Sequence, residues 1–94
     1  MNPRLLVWST VILGVLGAAY LGGYKPVPDQ NDQFFQNALA FVKQVYPQVK
    51  EWTVEEAGEQ IVSGMNFIII LTDGKGMKAS VKVFVSFGGA IKIT

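Results

Sequence analysis

The chain has no histidine and no cysteine among its 94 residues. Histidine is the usual general base near neutral pH, and the two residue types together are the usual ligands of zinc. Their absence excludes Ser-His-Asp and Cys-His catalytic arrangements, thiol redox chemistry and disulfides. Carboxylates or a lysine could still carry out catalysis. Glu55, Glu56 and Glu59 lie close together, but nothing around them in the sequence suggests a substrate cleft, and they read as solvated strand and edge charges. The chain is therefore expected not to be an enzyme, with no catalytic residues, no metal and no cofactor.

Charge is also sparse and evenly divided. The formal net charge is +1, and Arg4 is the only charged residue among residues 1–19. Beyond it the lysines and the acids balance, and no stretch interleaves lysines with stacking aromatics. A nucleic-acid surface is not expected.

The apolar content, 50% of the chain, is unevenly spread. Met1-Asn2-Pro3-Arg4 is a short basic start, residues 5–16 form an apolar run, and Gly17-Ala18-Ala19 supplies small residues. That order predicts a signal peptide over residues 1–19, cut after Ala19. The rival reading is an uncleaved anchor, although a spanning helix needs about twenty apolar residues and this run contains Ser9 and Thr10. Either way the domain at 20–94 is expected outside the cytosol, secreted or in the endomembrane lumen, and off the membrane once the signal is cut. Without disulfides it must hold together by packing alone. No Asn-x-Ser/Thr acceptor is present.

Residues 21–28 combine Gly22-Gly23 with Pro26 and Pro28 and read as an extended arm. Asp29 is placed to cap a helix, with Asp32 in its first turn. Phe35, Ala38, Val42, Val45 and Val49 then recur at steps of three and four, widened by Phe34 and Phe41, and Pro47 ends the helix. From residue 53 the pattern is β. Residues 53–61 form a glutamate-rich strand, 65–72 an apolar central strand, 77–87 an alternating strand and 90–94 a short last one. Turns fall near Val62-Ser63, at 73–76 and at Gly88-Gly89. One helix followed by four strands, with the arm as a candidate fifth, predicts an α+β fold: one α-helix packed across a 4–5-stranded antiparallel sheet. Alternate turns share one end, so the Val62-Ser63 and Gly88-Gly89 turns should lie together, within reach of the arm.

Gln60-Ile61-Val62-Ser63-Gly64 fits the Gln-x-Val-x-Gly pattern of the cystatin family. It lies between two strands, after a single helix and downstream of a Gly-Gly arm, which is the cystatin order. The segments 42–49, 64–67 and 81–84 are also similar to the family, closest to its disulfide-free stefin branch. The resemblance covers residues 21–94. It implies a cystatin-like fold and reversible, tight-binding inhibition of papain-like, cathepsin-type cysteine proteases by a wedge of three segments. Leu21, Gly22 and Gly23 would be the first, with Leu21 in an apolar pocket of the protease. Gln60, Ile61, Val62, Ser63 and Gly64 would be the second, and Phe87, Gly88 and Gly89 the third. The plainer readings are a linker at Gly22-Gly23, an ordinary hairpin at 60–64 and a simple turn at 88–89. The chain departs from secreted cystatins in lacking disulfides and the Pro-Trp pair of the second loop. The alternative function is a secreted cystatin-fold binding protein without inhibitory activity. A monomer is expected, with a domain-swapped dimer hinged at Val62-Ser63 as the other assembly.

Overall fold

The computed structural model describes residues 6–9 and 23–94. In chain order the elements are β1 (Leu6–Ser9), β2 (Lys25–Pro26), α1 (Gln33–Val45), a 3-10 turn (Pro47–Val49), β3 (Thr53–Val62), β4 (Gly64–Thr72), β5 (Met77–Val85) and β6 (Ile91–Ile93). Strands β2 to β6 form an antiparallel meander in which each strand pairs with the next. The arm is thus the fifth strand, through Lys25↔Glu59 and Pro26↔Gly58. A sixth comes from the segment read as a leader. Strand β1 lies antiparallel to β5 from Leu6↔Ser80 to Ser9↔Met77, beside the half of β5 that the short β6 leaves unpaired. The rest of residues 1–19 lies outside the described residues. Among the described residues no helix is long and apolar enough to cross a membrane.

The helix forms where the apolar period predicts, but its cap differs from the expectation. Asp32, not Asp29, is the N-cap. Its Oδ2 accepts hydrogen bonds from the Phe34 and Phe35 amides at 3.0 and 3.3 Å. Asp29 instead stabilises the preceding turn, accepting from the Asn31 amide at 2.9 Å. Two aspartates three residues apart can each take the cap. The one adjoining Gln33 wins because the chain between them is already committed to the turn Asp32 N–H→Asp29 C=O, 3.1 Å. Lys43 stands in the last turn, where a cation suits the helix dipole, and its ammonium donates to the Trp52 carbonyl at 2.9 Å. Pro47 cannot continue the α-helical ladder and begins the 3-10 turn.

The buried stripe of α1 (Phe35, Ala38, Val42), with Val49, packs on Phe67, Ile69 and Leu71 of β4 and Ala79, Val81, Val83 and Val85 of β5. Phe35 meets Phe67 edge-on, ring centroids 5.5 Å apart. Each large side chain fully buried here stabilises the fold by about 1.5–3 kcal/mol. A bulge between Val54 and Glu56 gives β3 one extra residue, Glu55. Glu55 pairs with Lys78, which lies on the sheet face away from the helix.

Candidate functional site

Three turns and strand ends decide the geometry of one end of the sheet. The β3–β4 register runs without interruption from Glu56↔Ile70 to Val62↔Gly64, leaving Ser63 alone at the tip of the hairpin. Met65 faces Val85, so the loop that follows β5 lies beside this hairpin. That loop is closed by the Gly89 amide donating to the Ser86 carbonyl at 2.9 Å and the Ala90 amide donating to Ser86 Oγ at 3.0 Å. Gly23 reaches the same end. A Cβ added to it would come within 3.0 Å of Gln60 Nε2. The end therefore gathers Gly23, residues 60–64 and residues 87–89. Leu21 and Gly22 lie outside the described residues.

The side chains at this end are unusual in their exposure. Among the described residues four large apolar side chains are exposed: Ile61 at 60%, Val62 at 45%, Phe87 at 61% and Met77 at 40%. Three of the four sit on the two adjacent loops, and Met77 alone lies at the far end of β5. Apolar groups clustered in water mark an interaction surface more often than scattered ones do.

The exposed groups stand on a braced support. Gln60 and Asn66 face each other across the hairpin, with Asn66 Nδ2 donating to Gln60 Oε1 at 3.3 Å. Phe87 packs edge-on against Phe34 at the start of α1, ring centroids 6.3 Å apart, so the second loop is tied to the helix. Gly64 has φ +147°, a backbone conformation that side chains disfavour, and it is buried against Phe84 and the Val85 carbonyl. Behind Gly23, Tyr24 is partly buried, and desolvation pushes its phenol pKa above the ordinary value. It is neutral at physiological pH.

The sequence pattern anticipated where the turns meet. It missed two things about their surroundings. Phe34 reads as part of the helix's core stripe, yet it is half-buried and serves as the platform for Phe87. Glu59 reads as a solvated charge, yet it is only 7% exposed. The correction has a simple cause. Ala57, Glu59 and Ile61 alternate onto one face, and Ala57 is buried under the helix, so Glu59 must share that face. Glu56 is likewise half-buried, with Oε2 enclosed and unpartnered, and Glu55 is ion-paired. Strand alternation, applied to the glutamates as it was to the valines of β5, would have found Glu59.

Below the exposed edge, Pro28, Asp29, Asp32, Phe34, Glu59 and Met65 line a cavity of about 280 Å³. Among the described residues no group of three or more acidic, histidine or cysteine side chains is arranged to hold a metal ion.

The fold and this edge define a class: an antiparallel α+β domain with, among the described residues, one α-helix on the sheet, two braced hairpin loops and an arm converging on one apolar edge. No known protein family, curated protein or solved structure matches the chain.

Proposed function

We propose that this protein is a reversible, tight-binding inhibitor of papain-like cysteine proteases, exported from the cytosol and acting as a monomer that occupies the active-site cleft without catalysis. The observation that carries the reading is the exposure of Ile61, Val62 and Phe87 on two adjoining, braced loops. The kind of partner comes from the resemblance of Gln60, Val62 and Gly64 to the cystatin motif, and with it the cystatin-like reading of the fold.

The physical logic is that of a preformed wedge. Loops held by sheet pairing and by the Phe34–Phe87 contact lose little conformational freedom on docking, so less of the burial energy is offset by ordering. Val62 and Ile61 would supply the desolvated centre of the contact, and Phe87 a second anchor. The arm that ends at Gly23 would enter beside them and diverge before a peptide bond reaches the catalytic thiol.

Titration of papain activity with the purified protein tests the reading. Near-stoichiometric, reversible inhibition with the protein recovered uncut is expected. Val62→Asp places a charge in the contact and should weaken inhibition by about 30-fold or more, the loss typical of an interface hot spot. A folded wild-type protein that leaves papain fully active would refute inhibition and favour a binding module that does not block proteases.

A further inference from the structure

The cavity beneath the edge contains a charge without a counterpart. Glu59 lines it and is 7% exposed, and among the described residues its carboxylate has neither a hydrogen bond nor an ion pair. Lys25 is its cross-strand neighbour but is exposed and makes no ion pair with it. Unlike Glu56 Oε2, the Glu59 carboxylate is not sealed in, so its charge faces the open cavity, where a cation can reach it. The cavity's walls are mixed in a particular way. Phe34 and Met65 are apolar, and Asp29 and Asp32 add negative charge at its margin, although both carboxylates also accept amide hydrogen bonds in the turn and the helix cap. At about 280 Å³ it is at the small end of ligand-sized pockets.

Its position matters as much as its chemistry. Met65 follows Gly64 at the first loop, and Phe34 is the ring on which Phe87 of the second loop rests. The cavity therefore adjoins the two loops through Met65 and Phe34, within reach of a macromolecule seated on them. We propose that the cavity is a recognition pocket for a basic side chain of that docked protein, with Glu59 as the counter-charge and Phe34 and Met65 as walls for the alkyl stem. An arginine or lysine suits such a site because its stem is apolar and its head is cationic. The identity of the partner as a protein docked on the edge rests on the reading above, while the chemistry of the pocket stands on Glu59 itself.

The test separates the two. The full-length chain is titrated with N-acetyl-arginine-N-methylamide and, in parallel, with the neutral citrulline analogue, while NMR follows the Met65 methyl and Glu59 side-chain resonances. The arginine compound should produce saturable shifts and the citrulline compound should not. The isosteric Glu59→Gln variant should bind the arginine compound about tenfold more weakly, the factor expected for losing a charge-assisted contact. Because Glu59 has no hydrogen-bond or ion-pair partner among the described residues to lose, Glu59→Gln should also melt close to wild type. Equal shifts from arginine and citrulline, or unchanged arginine binding by Glu59→Gln, would overturn the pocket. Papain inhibition provides the other arm. Lost inhibition with arginine binding intact would reject the edge reading alone, and intact inhibition with no arginine-specific shift would reject the pocket alone.

Discussion

Replacing Gly64 with alanine adds one methyl group at the most constrained point of the first loop. The built Cβ lies 2.6 and 2.8 Å from the Phe84 ring and 2.7 Å from the Val85 carbonyl oxygen. The ring can rotate away. The carbonyl cannot move freely, because Val85 is held in the sheet between Met65 and Ile91. Relief of such a clash costs about 1–3 kcal/mol. The backbone adds to this: φ is +147° at Gly64, and holding an L-residue in a sparsely populated region costs about 1–3 kcal/mol. Alanine also stiffens the unfolded chain, which offsets about 0.4–1 kcal/mol. The net loss should be about 3 kcal/mol. For a domain of this size each kcal/mol moves Tm by about 4–8 °C, so Tm should fall by roughly 12–24 °C. Gly74→Ala is the control, since Gly74 has φ +74° with nothing within 4 Å of its built Cβ. It should show only the backbone part. Thermal and urea unfolding followed by circular dichroism measure both variants. If Gly64→Ala is no less stable than Gly74→Ala, the argument from steric closure of the hairpin is wrong.

Asp32→Ala removes the helix cap and should lower stability by about 1 kcal/mol, with Asp32→Ser restoring most of it in the same melts. The Tyr46 hydroxyl is buried and has no hydrogen-bond partner, so Tyr46→Phe should be neutral or stabilising by up to about 1 kcal/mol, and a clear destabilisation in urea would contradict that assignment. Asp73 accepts hydrogen bonds from the Lys75 and Met77 amides, which hold its carboxyl pKa below the ordinary 3.8. A depressed folded-state pKa contributes stability that is present above 3.8 and lost as pH falls through the folded value. Chemical denaturation from pH 5 down to pH 2 should therefore show an acid loss that is smaller in Asp73→Asn, and equal losses in both proteins would refute it.

Local sequence determined most of the elements, because each is written in a short-range signal. The three- and four-residue recurrence from Phe35 to Val49 becomes the helix face that is buried, Pro47 stops that helix, and the alternation of Val81, Val83 and Val85 becomes one buried face of β5. The same signals place the 62–64 and 86–90 turns at one end, since antiparallel hairpins alternate ends by construction. The motif residues Gln60, Val62 and Gly64 were legible as a pattern, and the register then sets them at the tip of the hairpin. Tertiary structure decided what depends on residues distant in the chain. The residues of β1 carry an apolar pattern that suits a leader as well as a strand, and only the unpaired half of β5 makes Leu6–Ser9 a strand. Phe34 and Phe87 are far apart in sequence and become partners only when the helix crosses the sheet. Burial of Glu59 is likewise a property of the assembled layers: the strand aims it toward the helix, and the chain from Pro28 to Phe34 walls it in. Period and turn chemistry act over a few residues, whereas enclosure needs surfaces from several elements at once, which is why the edge was readable from the chain and the cavity beneath it was not.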